Sequence, residues 1–177
     1  RKENKYLVDK TMFFEKMERA GHFLFLVRPR RFGKSLFLDM LESYYDINQK
    51  DNFQELFKGL YVAEHPTKEQ GEFLVLHLNF SMVGSNLDTL YEDFNIYLSR
   101  RCEFFAKKYA EYYPEGFVED MLREKTGMGM LNRIYDASHE LRLKLYLIVD
   151  EYDNFTNNVL NVKGQQAYHE LTHGTGF

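Results

Sequence analysis

Arg28-Pro29-Arg30-Arg31-Phe32-Gly33-Lys34-Ser35 directly follows the apolar run Phe23-Leu24-Phe25-Leu26-Val27 and opens a helical pattern. Strand, loop and helix in that order is the context a phosphate-binding loop requires. In such a loop successive backbone N–H groups wrap the β-phosphate, the Lys ammonium reaches the β and γ oxygens, and the Ser hydroxyl ligates Mg²⁺ at the positive end of the helix. Lys34, Ser35 and the helix dipole fit those roles. One position departs from the usual G-x-x-x-x-G-K-[ST], because Arg28 stands where the first Gly is expected. Arg28 and Pro29 imply a differently shaped approach to the loop, since neither has glycine's freedom at positive φ. Gly33-Lys34-Ser35, which makes most of the phosphate and metal contacts, is intact.

A second element raises the signal above that of a basic turn containing G-K-S. Leu143 to Val149 reads Leu-Lys-Leu-Tyr-Leu-Ile-Val and ends in Asp150-Glu151. A buried parallel strand shows as a nearly continuous apolar run, and an acidic pair at its C-terminal end sits where ligands bind in an open α/β sheet. Asp150 would then hold the Mg²⁺ shell, and Glu151 would orient, or take a proton from, the water attacking a γ-phosphate. A solvated acidic loop containing Asp150, Glu151 and Asp153 is the plain alternative. Two partial motifs in the right order, each on the right element, argue against coincidence.

Four stretches together resemble a known family. Tyr6-Leu7-Val8-Asp9-Lys10-Thr11, the Arg28 to Leu36 loop, Leu76-His77-Leu78-Asn79-Phe80-Ser81 and Ile148-Val149-Asp150-Glu151-Tyr152-Asp153 are similar to the AAA-ATPase-like family of bacterial P-loop proteins. The resemblance covers nearly the whole chain and makes the Arg in place of the first Gly a family trait. It implies an α/β fold, a P-loop NTPase three-layer sandwich with a mostly parallel sheet, as a single domain over 1–177. It also implies ATP and Mg²⁺ as cofactors, and a PD-(D/E)XK nuclease-like domain downstream in the full-length protein, for which this chain has no matching residues. The expected nucleotide-binding residues are Arg30, Arg31, Phe32, Gly33, Lys34, Ser35 and Leu36. Lys34 and Glu151 are expected to be catalytic, and Ser35 and Asp150 to hold the metal. At least one of Arg28, Arg30 and Arg31 is expected to point into the phosphate site, the others pairing with Asp150, Glu151 or Asp153, because adjacent guanidinium groups repel unless an anion lies between them.

Composition agrees with a soluble domain. At 177 residues, 44% apolar and 16% aromatic, the chain can bury a sizeable core. A net charge of −4 does not advertise nucleic-acid binding, and the local cluster Arg28, Arg30, Arg31, Lys34 suits the phosphates of one small ligand. A single Cys102 excludes an intrachain disulfide and fits a reducing cytoplasm. His65, His77, His139, His169 and His173 lack zinc spacing. No apolar run approaches the ~18 residues of a membrane span. The chain begins at Arg1 and ends at Phe177, inside a helical pattern, so a fragment with an incomplete C-terminal sheet is expected. By the resemblance, a sensor strand would follow.

Elsewhere, Thr11 to Ala20, with Met12, Phe13, Met17 and Ala20 apolar, predicts a short helix closed by Gly21. The Tyr6 to Thr11 segment ahead of it either flanks an adenine or packs on the sheet. Leu36, Phe37, Met40, Leu41, Tyr44 and Tyr45 form one core-facing stripe. Asp51 to Leu60 predicts another helix, then a polar loop through His65-Pro66 and a strand over 73–80. Asn79 and Ser81 at that strand's end favour turn formation, though a polar side chain there could face a site. Leu87 to Tyr113 carries a long helical stripe ended by Pro114 and Gly116, with Arg100, Arg101, Lys107 and Lys108 on its polar face. Helices over 117–125 and 130–141, parted by Thr126-Gly127-Met128-Gly129, lead to the acidic-ended strand.

Three functions follow from these residues. One is a Mg²⁺-dependent ATPase driving a conformational task in an attached domain. A second is a nucleotide-gated interaction module with little turnover, and a third a P-loop phosphotransferase. Glu151 directly after Asp150 favours hydrolysis.

Overall fold

Aromatic side chains organise the first part of the molecule. In a computed structural model, which describes residues 7–27, 31–84, 86 and 88–152, the chain divides after Leu74 into two units. The first holds a 3-10 turn (Thr11–Phe13) running into α1 (Phe14–Ala20), then α2 (Lys34–Tyr45), α3 (Phe53–Phe57) and α4 (Tyr61–Glu64). Phe14, fully buried, contacts Phe37, Tyr44 and Tyr45, and Tyr44 packs edge-on against Phe53 and Phe57. The polar tips of the two tyrosines still find partners. The Tyr45 hydroxyl donates to Glu18 at 2.9 Å, and the Tyr44 hydroxyl accepts from the Thr67 amide at 2.7 Å. Buried aromatic hydroxyls usually find such partners, because an unsatisfied buried polar group costs about 1–3 kcal/mol. Burial holds the Tyr44 hydroxyl above its ordinary pKa.

The second unit contains most of β1 (Phe73–Asn79), α5 (Leu90–Lys108), α6 (Phe117–Met121), α7 (Gly127–Glu140) and β2 (Lys144–Asp150). The architecture is mixed α/β, with β1 and β2 paired in a two-stranded parallel sheet that does not close. Leu98, Cys102, Phe105 and Ala106 line the inner face of α5, with buried Tyr109 just past its end, and Met130, Ile134 and Ser138 line that of α7. Burial raises the Cys102 thiol to about 12, which removes it from thiolate chemistry near neutral pH. The Tyr109 hydroxyl accepts from the Val75 amide at 3.0 Å and so ties the end of α5 to β1.

Close approach of α5 and α7 rests on Gly127. A Cβ there would lie 2.7 Å from the Ser99 nitrogen, 2.8 Å from the Leu98 Cβ and 2.9 Å from the Asn95 carbonyl oxygen, two of them backbone atoms that cannot swing away. Gly127→Ala is therefore expected to destabilise by about 1–3 kcal/mol through overpacking, although in an open helix the same change would stabilise by up to about 1 kcal/mol. Gly129→Ala supplies the contrast, because its Cβ would meet the movable tip of Glu124. Thermal unfolding of both variants checks the sign, and a Gly127→Ala protein as stable as its parent would refute the close contact.

Several sequence expectations shift. Phe23–Val27 is not part of a sheet, and Phe23 is 94% exposed. A strand exists only where another offers its ladder, and among the described residues of the first unit only Phe73 and Leu74 are strand, with Phe73 bridging to Asp46. Among the described residues the three-strand order expected from the sequence is thus a two-strand one. β2 is not buried on both faces either, since Leu147 is 54% exposed while Ile148 and Asp150 face inward. Phe14, not Met12 or Phe13, anchors α1, and Leu38 rather than Leu36 completes the stripe of α2. The loop before His65 contains α4, and Gly127 and Gly129 lie inside the first turn of α7, whose N-cap is Thr126.

Candidate nucleotide site

Gly33 decides the geometry of the loop. It caps α2 in the left-handed region (φ 72°, ψ 32°), and its carbonyl accepts the first helical bond, from the Phe37 amide at 3.0 Å. No atom lies within 4 Å of where a Cβ would stand, so backbone conformation alone, not space, requires glycine here. Arg31, two residues earlier, is also left-handed at φ 67°, which costs a branched or long side chain about 1–2 kcal/mol. Such conformations collect at sites where the chain must turn its amides toward a ligand.

The first turn of α2 carries no acidic residue, and Gly33 offers no side-chain cap. Lys34 stands at the first helical position, where the macrodipole is positive. A cation there is electrostatically unfavourable by itself and becomes favourable when an anion sits over the helix end. Phe32 and Ser35 are exposed, and Leu36 is 52% exposed. Arg31 is exposed as well, while Arg28 and Arg30 lie outside the described residues.

Asp9-Lys10-Thr11 braces this loop from the side. The Asp9 carboxylate accepts from the Thr11 amide and hydroxyl and from the Tyr61 amide, at 2.7–2.8 Å. Thr11 Oγ1 accepts from the Val62 amide at 3.1 Å, so the pair fixes the start of α4. Lys10 Nζ donates to the Phe32 carbonyl at 3.2 Å, inside the loop. Asp9, Lys10 and Thr11 thus brace the loop and the start of α4, and Tyr6 lies outside the described residues.

Asp150 ends β2 in the second unit and is 1% exposed. One of its oxygens accepts from the Glu151 amide at 2.9 Å, and Glu151 takes φ 53°, a left-handed turn directly after the strand. A buried carboxylate with its neighbour held in strained backbone fits the end of an acidic-ended strand better than a solvated loop. Asp153 is outside the described residues. Among the described residues no group of three or more His, Cys, Asp or Glu could hold a metal. Mg²⁺ does not require one, because it is commonly held by one or two carboxylates with phosphate oxygens and water. No helix among the described residues is long and apolar enough to cross a membrane.

A pocket of about 580 Å³ opens at the C-terminal end of β1, lined in part by Asn79, Asp93, Tyr97, Arg100 and Arg101. Asn79 does form the expected turn, its Oδ1 accepting from the Ser81 amide and hydroxyl. It also faces this pocket. Asp93 and Tyr97 escaped the sequence reading, yet 93, 97, 100 and 101 fall at helical spacing on one face of α5, and a polar i, i+4, i+7 pattern was the available signal.

A family model described as a predicted AAA-ATPase matches residues 1–176. A protein of Azotobacter chroococcum mcd 1, described as an uncharacterized protein in the vnfD 5' region, is 48% identical over 59 residues, or 33% of this chain. That stretch spans 10% of the relative's own length. No solved structure matches. With the family model covering all but the last residue, the chain belongs to the predicted AAA-ATPase family.

Proposed function

We propose that this chain binds ATP with Mg²⁺ and hydrolyses it in the cytoplasm, as a P-loop three-layer sandwich formed by one domain over residues 1–177. The observation that carries the proposal is the left-handed Gly33 at the head of a twelve-residue helix that begins Lys34-Ser35. Family membership supports the same reading. Arg30, Arg31, Phe32, Gly33, Lys34, Ser35 and Leu36 would surround the phosphates, first-turn amides donating to oxygens and Lys34 neutralising charge at the β and γ positions. Ser35 and Asp150 would hold the metal, a hydroxyl and a carboxylate being the hard oxygen donors Mg²⁺ prefers. A Mg²⁺ held there would supply charge neutralisation to the phosphates. Glu151 would orient the attacking water and take its proton. Energy from the cycle would drive a conformational change in an attached domain.

Titration calorimetry of ATP against the protein, with and without Mg²⁺, tests the proposal together with steady-state phosphate release. Mg²⁺-dependent binding with turnover is the expected result. Binding without turnover would leave a nucleotide-gated interaction module, and no affinity at all would overturn the assignment.

A further inference from the structure

The pocket beside β1 is rich in donors and poor in acceptors, and none of its lining residues belongs to Gly33–Leu36 or to Asp150-Glu151. Tyr97 Oη accepts from the Asn79 amide at 2.6 Å, so its own hydrogen is directed elsewhere. Asn79 Oδ1 is occupied by Ser81, which leaves the side-chain NH₂ as the group it can offer. Arg101 is held by one arm, Nη2 donating to the His77 carbonyl at 2.7 Å, with its guanidinium 5.5 Å from the Phe104 ring centroid. Arg100 is exposed at the rim. Among the described residues neither arginine makes an ion pair.

One carboxylate stands against these two cations. Asp93 accepts from the Thr89 hydroxyl at 2.9 Å and lies against Gly84, where a Cβ would collide with it. Two neighbouring guanidinium groups with a single acidic neighbour among the described lining residues leave a local positive excess, in a chain whose net charge is −4. Placing cations side by side costs Coulomb energy unless an anion completes the site. Met82 and Ile96 add apolar wall, both exposed to the opening. The volume lies within the range of small-molecule sites, and the end of a parallel strand is where α/β sheets hold ligands.

We infer that this pocket binds a small organic anion, its oxyanion head held by Arg100, Arg101 and the Tyr97 hydroxyl and its apolar body lying on Met82 and Ile96. Guanidinium forks match the planar geometry of carboxylate and the edge of a phosphoryl group alike. A phosphate monoester and a carboxylate are the two sources of such a head. Asp93 sets an upper limit on affinity, since it repels the anion the arginines attract.

The test is titration of the full chain with phenyl phosphate, with benzoate and with neutral benzamide, followed by calorimetry or ligand-observed NMR. At least one anion is expected to bind in the millimolar range or tighter and benzamide not to bind, the tighter anion identifying the head group. Arg100→Ala, which disturbs no hydrogen bond among the described residues, should weaken that binding roughly tenfold, as loss of one charged contact does. Asp93→Asn keeps an acceptor for Thr89 and should tighten it severalfold. Lys34→Ala should leave it unchanged, which separates this site from the phosphate loop. Absence of binding by both anions, weaker binding in Asp93→Asn, or loss of binding in Lys34→Ala would each overturn the inference.

Discussion

Lys34→Ala is expected to remove measurable Mg²⁺-ATP binding. The side chain stands at the first position of α2 and is half-buried, next to the left-handed Gly33. A hydrogen bond to a charged group contributes about 1.5–3 kcal/mol, and Lys34 would face two phosphate groups, so a loss of affinity on the order of 10²-fold or more follows. A lysine in the first turn opposes the helix dipole, so its removal should leave α2 unchanged or slightly more stable, by about 0.3–1 kcal/mol. Calorimetry for affinity and thermal unfolding for stability therefore separate the two effects. Equal ATP affinity in parent and variant would remove Lys34 from the site.

Glu151→Gln is expected to keep ATP affinity and lose turnover. The backbone of Glu151 is held in place: its amide donates to Asp150 at 2.9 Å, and its φ of 53° follows from the turn after β2. Glutamine keeps both features and the volume of the side chain. It cannot take a proton, and a positioned general base contributes on the order of 10²–10⁴ in rate. Phosphate release should fall by that factor while the dissociation constant changes little. Unaltered release would move the base elsewhere, with Asp153 the next residue in sequence to test.

The local elements were legible because their determinants are local. Apolar spacing over 36–45 and 87–113 predicts helices that the structure contains as Lys34–Tyr45 and Leu90–Lys108, and the positive φ at the head of α2 follows from a glycine placed before a lysine and a serine. The apolar run before the acidic pair predicts β2, and the structure buries Asp150 at its end. Boundaries moved where a cap or a short turn competed, as at Thr126, whose hydroxyl accepts from the Gly129 amide and begins α7 three residues before the first apolar contact, Met130.

The sequence by itself determined the periods, the turns and the order of the motifs, since each depends on neighbours within one or two turns of chain. Only the tertiary structure decided which of Met12, Phe13 and Phe14 is buried, because that choice depends on where Phe37, Tyr44 and Tyr45 stand. It also decided that Phe23–Val27 lies outside the sheet: apolar content makes a segment fit to be a strand, but only a partner's ladder makes it one. The pocket at Asn79 has the same origin. Its arginines, Tyr97 and Asp93 sit on one helix face by local spacing, yet they form a site because Tyr97 and Arg101 hydrogen-bond to β1, 18 and 24 residues away. Contacts at that separation are selected by the packing of the whole unit, which no local pattern contains.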